Sequence, residues 1–425
     1  MNNQWNFETK AVQAGYEPKN GEPRVAPLCQ STTFRYDTAK NIADLFDLKA
    51  AGFFYTRLAN PTVDVLEKKI AALEGGVAAV ATSSGQAANA LSIMNLCQKG
   101  GHVISCATLY GGTFTLFDSK LRQMGIDVTF ISPEATPDEI AKEIRPDTCA
   151  IFGEVLANPA LEVLDIKKFA MVAHNHNLPL IVDNTFPTPY LCRPFEFGAD
   201  FVTHSTTKYL DGHAACVGGI IVEKGDFRYD AKRFPGFTEP DPTYHGLVYT
   251  RDFADSPYSV KLRVQWIRDL GVGMAPFNAY LTNIGTETLH LRMERHSANA
   301  LALAQFLQSH PNVAWVNYPF LEGSKYYDRA REYLKGGSGV LCFGVKGGKK
   351  EGEIVMNHLK LAAIVVHVAD VRTCVLHPAS MTHRQLSEED QRAAGVSPDL
   401  IRVSVGIENI EDIKADFDQA LNAIN

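Results

Sequence analysis

At 425 residues the chain is too long for one simple core, and two or three domains sharing interfaces are expected. Hydrophobic residues make up 45% and charged residues 21%, as in a globular protein, and no apolar run approaches the roughly 20 residues of a membrane-spanning helix. The formal net charge is -7 with lysine and arginine scattered along the chain, which leaves no electrostatic footprint for nucleic acid.

The first residues, MNNQWNFETKAVQAG, lack a basic stretch followed by an apolar one, so no secretory signal is expected and the expected location is the cytoplasm. Residues 1–61 show no sustained periodicity and carry Pro18, Pro23, Pro27 and Pro61, which predicts an extended arm lying on a neighbouring subunit. From Thr62 helix and strand patterns alternate. VDVLEKKIAALEG reads as an amphipathic helix, VAAVATSS as a strand and GQAANALSIMNLCQ as a helix opening at Gly85. HVISCA, DVTFIS, CAIFGEV, LPLIVDN and FVTHS follow as strands, with helices near 113–124, at PDEIAKEI and near 165–176. Strict alternation predicts an α/β domain over 62–286 with a mainly parallel sheet covered on both faces, and ligands collect at the carboxyl ends of such strands. Residues 225–275 interrupt the pattern with a loop-rich insertion, and loops of that length usually serve or cover a site. A long helix, ETLHLRMERHSANALALAQFLQ, then leads into a smaller C-terminal α/β unit over 287–425. The eight cysteines form no C-x-x-C pair and are read mostly as small buried apolar residues in a reducing compartment. The scattered histidines show no ligand spacing, so no metal is expected.

Two residues stand where chemistry is expected. Asp183 ends the apolar run LPLIVDN, and Lys208 follows FVTHS after Ser205, Thr206 and Thr207. Alone, the first reads as a strand-end cap and the second as a solvated lysine. Together they meet the needs of pyridoxal 5'-phosphate (PLP): a carboxylate that keeps the pyridine nitrogen protonated and an amine for the Schiff base. The turn SSGQAAN, where Gly85 opens a helix, offers a phosphate cradle, although many strand-to-helix turns look the same.

These residues occur with others in a recognisable order. YTRLANPT with Tyr55 and Arg57, SSGQ with Ser84, Gly85 and Gln86, TLYGGT with Tyr110, ANP with Asn158, VDNTF with Asp183 and Thr185, HSTTKYLDGH with Lys208, and IRVSVGIE with Arg402 resemble the Cys/Met-metabolism PLP enzymes over almost the whole chain. The resemblance implies fold type I of the PLP-dependent transferases, with a seven-stranded, mainly parallel sheet, a smaller C-terminal domain and an extended N-terminal arm. It implies that Lys208 is the Schiff-base lysine and proton carrier, that Asp183 pairs with the ring nitrogen and that Tyr110 stacks on the ring. Asn158 would lie near the ring oxygen, and Ser84, Gly85, Gln86, Ser205 and Thr207 would hold the phosphate. Tyr55 and Arg57 would reach the phosphate of a neighbouring subunit in a homotetramer of two catalytic dimers. Arg402 would grip the substrate carboxylate, a task suited to a planar guanidinium.

Departures from the family pattern bear on the reaction. Gly112 stands where methionine γ-lyases usually carry a cysteine, and Arg372 where cystathionine enzymes carry an acidic residue for a second amino group. A basic residue there should disfavour cysteine and tolerate hydrosulfide. The insertion resembles that of O-acetylhomoserine sulfhydrylases, so the expected reaction joins O-acetylhomoserine and sulfide into homocysteine and acetate; a cystathionine γ-synthase or a γ-lyase is the alternative. His367 and Ala369 replace a small polar residue and a glycine, and His367 reads equally as a structural replacement or a substrate contact.

Overall fold

The structure is a computed structural model that describes residues 5–97, 100–381, 384 and 396–424. Its larger sheet has seven strands: β1 (Ala78–Thr82), β2 (Gly101–Cys106), β3 (Ile126–Ile131), β4 (Thr148–Glu154), β5 (Leu180–Asp183), β6 (Phe201–Ser205) and β7 (Gly219–Glu223). Their spatial order is β1-β7-β6-β5-β4-β2-β3. Strands β6, β5, β4, β2 and β3 pair in parallel, while β7 runs antiparallel to both β6 and β1. Every residue of β4 and β7 is buried, as expected for strands covered on both faces. The expected sheet is therefore present. Strand β7 was absent from the periodicity reading, because GIIVE is a five-residue run with no alternation to mark it.

The helix Pro61–Glu74 forms where the sequence signals it. Asn60 accepts the Thr62 N–H at 2.9 Å, proline occupies the first turn, and Gly75 ends the helix at φ 84°. The helix expected at 113–124 starts as Gly111–Thr115 and widens into a π-helical stretch, Leu116–Leu121. The long helix runs over Leu289–Ser309, preceded by Pro276–Glu287, with Thr288 breaking the two. A second sheet follows, of β8 (Val313–Asn317), β9 (Val340–Val345), β10 (Ala363–Ile364), β11 (Cys374–Leu376) and β12 (Leu400–Ser404), in the order β10-β11-β12-β9-β8. It is antiparallel except for β10 and β11, and β12 lies at its centre.

The aromatic residues of the insertion pack into the core. Phe234, Phe237, Tyr244, Tyr249 and Tyr258 are buried with Phe117, Phe152 and Phe201 in a core on the large sheet, and Phe201 stacks on Tyr258 at 4.1 Å between ring centroids. In the arm, the short helix Phe7–Gln13 rests on its own chain, with Ala11 fully buried and Phe7 edge-on to Tyr190. Beyond it Val25, Leu28 and Phe46 are exposed. Cys97 and Cys149 form a disulfide, a pairing the sequence analysis did not anticipate, while five of the other six cysteines are buried free thiols, as expected of most, and Cys29 is half-buried. Among the described residues no helix is long and apolar enough to cross a membrane.

Candidate active site

Four strands of the larger sheet end at one cavity. Strand β1 leads through Ser84 into the helix Gly85–Met94, β4 ends at Glu154, β5 at Asp183 and β6 at Ser205, with Lys208 in the turn beyond. From the smaller sheet, β12 contributes Arg402. The cavity holds about 240 Å³, and its lining includes all of Ser84, Gly85, Gln86, Tyr110, Asn158, Asp183, Thr185, Ser205, Thr207, Lys208, His367 and Arg402. Tyr55, Arg57 and Arg372 lie elsewhere.

Asp183 is held from three directions. Its Oδ1 accepts the Thr185 N–H at 2.9 Å and the Thr185 hydroxyl at 2.5 Å, and its Oδ2 accepts Asn89 Nδ2 at 3.1 Å. Thr185 Oγ1 also accepts the Ser205 N–H at 2.9 Å, tying the ends of β5 and β6 together. Asn89 in turn accepts the Thr203 hydroxyl at 2.7 Å, so the carboxylate is fixed by a network that leaves lone pairs on Oδ2 for a ligand.

Two cations face the cavity without an anion. Among the described residues Lys208 Nζ has no hydrogen bond or ion pair, and burial, reinforced by the Arg402 charge, pulls it down to about 8. Arg402 is 7% exposed and donates only to neutral oxygens, Asn158 Oδ1 at 3.1 Å and the His367 carbonyl at 3.0 Å. Burial lowers it as well. A buried guanidinium with no carboxylate partner among the described residues is costly unless an anion completes it.

Gly85 lies too close to the end of β6 for a side chain to fit without a shift, whereas Gly112 lies against the ends of the Tyr110 and Gln86 side chains. A Cβ on Gly85 would sit 2.6 Å from Ser205 Cβ, and one on Gly112 would sit 2.6 Å from Tyr110 Cε1. Gly85 and Gln86 present the first N–H groups of their helix, which have no intrahelical acceptor, at its positive end beside the Ser205 hydroxyl. Thr207 is partly committed, since its hydroxyl donates to the Gly218 carbonyl at 3.2 Å and accepts the Gly218 N–H at 3.1 Å.

A family described as Cys/Met metabolism PLP-dependent enzymes matches residues 8–422. The chain belongs to that family. It is 46% identical to O-acetyl-L-homoserine sulfhydrylase 1 of Thermus thermophilus, covering 98% of this chain and 99% of that one. It is also 46% identical to homocysteine synthase of Schizosaccharomyces pombe, covering 98% of each. A solved chain from Campylobacter jejuni, assigned as an O-acetylhomoserine (thiol)-lyase and carrying a pyridoxyl-lysine phosphate, superposes with a TM-score of 0.95 at 36% identity. That match covers 98% of this chain and all of the other.

The cavity fits the family's cofactor. A lysine amine without a partner, a carboxylate anchored away from solvent, and a glycine-closed helix start beside a free serine hydroxyl correspond to its aldehyde, ring nitrogen and phosphate.

Three residues named from the sequence are not at this cavity. Tyr55 and Arg57 line a separate hollow with Phe34, Phe46, Phe54 and Arg268, where the Arg57 guanidinium lies 5.2 Å over the Tyr55 ring and donates to the Arg268 carbonyl. Arg372 is turned outward, 66% exposed, with Nε 3.0 Å from Asp370 Oδ1 and an Nη donating to the His213 carbonyl at 2.7 Å. The sequence reading missed Asn89, Thr113 and Glu154. Asn89 and Thr113 lie inside helices, where spacing gives no signal, but Glu154 could have been found as an acidic residue ending an apolar strand, the same signal that marked Asp183. The apolar wall of Leu156, Phe186, Val217, Val366 and Val368 was not legible either.

Proposed function

We propose that the protein replaces the acetate group on Cγ of O-acetyl-L-homoserine with sulfide, giving L-homocysteine and acetate in methionine and cysteine biosynthesis. The observation that carries the reading is a cavity with, among the described residues, an unpaired arginine for the substrate carboxylate, an unpaired lysine, and a mouth without a free carboxylate. Glu154 and Asp183 are both engaged at the floor, and the mouth is formed by Tyr110, Val217, Val366 and His367. An acceptor with its own ammonium group, such as cysteine, finds no partner there, whereas hydrosulfide needs none. This argument takes the place of the one based on Arg372. The relatives named as O-acetylhomoserine sulfhydrylase and homocysteine synthase, at 41–46% identity, support the same substrate pair.

PLP, when bound, supplies an aldehyde that condenses with an amine and a protonated ring that accepts electron density. Ser84, Gly85, Gln86, Ser205 and Thr207 would hold its phosphate, Asp183 would serve its ring nitrogen, Tyr110 would cover its ring and Asn158 would serve the ring oxygen. Lys208 would carry it and, once displaced by the substrate amine, would act as the free base that takes the protons from Cα and Cβ of the substrate. Arg402 orients the α-carboxylate, and the Tyr110 hydroxyl hands a proton to the departing acetate. Sulfur then bonds to Cγ, and Lys208 returns the protons. Tyr55 and Arg57 complete the phosphate site of a second copy within a cytoplasmic homotetramer of two catalytic dimers. That reading is supported by the arm's exposed apolar residues and by the distance of both residues from their own chain's cavity.

The test is a side-by-side assay of the PLP-loaded protein with O-acetylhomoserine, O-succinylhomoserine and methionine, using sulfide or cysteine as acceptor. Homocysteine and acetate formed fastest from O-acetylhomoserine and sulfide is the expected result. Faster formation of cystathionine from cysteine, or elimination from methionine without acceptor, sinks it.

A further inference from the structure

Tyr110 and Asn158 stand on separate loops, after β2 and after β4, yet both must face the same ring. Neither is fixed by its own side chain alone. The Tyr110 ring is 47% exposed, and among the described residues its phenol has no hydrogen-bond partner. Asn158 meets only the Arg402 guanidinium through Oδ1. The backbones of the two residues share one acceptor. Glu154, 8% exposed, accepts the Tyr110 N–H on Oε1 at 2.8 Å and the Asn158 N–H on Oε2 at 3.2 Å.

The topology explains why a carboxylate at this position can do so. Strand β4 lies between β2 and β5, so the last side chain of β4 reaches the loop that leaves β2 as well as its own continuation. Glu154 is also paired in register with Asp183 on β5, with both side chains lining the cavity floor. Only a carboxyl group fits the two donors. Glutamine would turn its own N–H2 toward one of the N–H groups, and a buried donor facing a donor loses the bond and leaves both unsatisfied. Burial and the facing Asp183 push Glu154 well above the usual carboxylate range, and the two N–H donors oppose that shift.

We propose that Glu154 is a positioning residue whose carboxyl joins the backbone of Tyr110 to that of Asn158, so that one side chain aligns both with the bound ring and, through Asn158, with Arg402. This rests on the assignment of the cavity to PLP and of Tyr110 and Asn158 to its ring.

The experiment compares wild-type, E154Q and E154D holoenzymes by cofactor absorbance per chain, visible circular dichroism of the bound cofactor, and kcat and KM for O-acetylhomoserine. E154Q is expected to keep its far-ultraviolet spectrum and cofactor content, to show a weakened visible dichroic band, and to lose about tenfold or more in kcat, the equivalent of one charged hydrogen bond. E154D, which keeps two acceptor oxygens, should fall between E154Q and wild type. A structural role alone would lower the melting temperature and leave the dichroic band and kcat of the folded fraction intact, and that result overturns the proposal. Should E154Q not fold, E154D carries the same test: a reduced band and kcat support the proposal, and wild-type values overturn it. If wild-type holoenzyme fails to convert O-acetylhomoserine, the substrate assignment falls while the dichroism of the variants still decides the role of Glu154.

Discussion

Burial lowers the proton affinity of both Lys208 and Arg402, and the Arg402 charge lowers that of Lys208 further. The sign of the consequence is fixed. With Lys208 near 8, its amine is largely neutral above that pH in the folded chain, whereas an ordinary lysine stays charged to about 10.4. Apoprotein treated with a small aldehyde and cyanoborohydride should therefore be modified at Lys208 with a midpoint near pH 8, read by peptide mass spectrometry. Replacing Arg402 by methionine should move that midpoint upward, because one repelling charge is gone. A wild-type midpoint at the ordinary lysine value would show that the cavity admits enough water to screen both groups. At this scale the sequence revealed most of the site, since ordered motifs name residues independently of rotamers. It misled at Arg372, whose position in the chain follows the motif but whose guanidinium is captured by Asp370 two residues earlier. No motif could encode that choice. His367 is now described more fully: its carbonyl serves Arg402, its ring lines the cavity, and burial, with the nearby Lys208 charge, lowers its proton affinity.

The elements that build the site depend on close approach of strand ends. Gly85, at the start of its helix, meets Ser205 at the end of β6, and between them Gly219 begins β7 where a Cβ would collide with the Ser84 carbonyl. A substitution G85A forces its methyl within 2.6 Å of Ser205 Cβ and 2.9 Å of Ser205 Cα, atoms that move only with the strand. Cofactor retention on dialysis should fall by about tenfold or more, as expected when binding groups shift by a fraction of an ångström, with far-ultraviolet dichroism preserved. Retention equal to wild type would show that the turn is softer than its contacts imply. Gly112 follows the same logic. Read from the sequence, it was a missing cysteine; in the structure it is the space that lets the Tyr110 ring and Gln86 lie against the helix start. The alternation of helix and strand was legible because fully buried strands and amphipathic helices have different periods. The antiparallel return of β7 was not, because nothing in five apolar residues states a direction.

At the scale of the whole molecule, the arm is the part proposed to serve a second copy. Its first helix docks on its own subunit, but Tyr55 and Arg57 sit in a hollow apart from the cavity that their motif is expected to serve. If they serve a second copy, two inactive variants should rescue each other. K208A lacks the amine and R57A lacks the donated arginine, so subunits mixed from the two should regain about a quarter of wild-type activity through the mixed pairs, each with one intact site. Mixtures with no more activity than the separate variants would confine Arg57 to its own chain. The aromatic residues of the insertion build a wall of the sheet's core, which its loop-rich sequence did not reveal.

Arg402 occupies the middle of β12, paired on one side with Leu376 of β11 and on the other with Cys342 of β9. Its strand is fully buried, whereas Val217 and Val366 across the cavity are among the most exposed apolar residues of the chain. If Arg402 holds the carboxylate that amino-acid substrates share, that grip is built into a fully buried strand, whereas the rim that would face the acceptor is exposed and tolerates exchange at little cost in stability. Divergence toward bulkier thiols should therefore be reachable by single substitutions at the rim, without passing through a destabilised ancestor, while loss of the carboxylate grip would demand rebuilding a sheet.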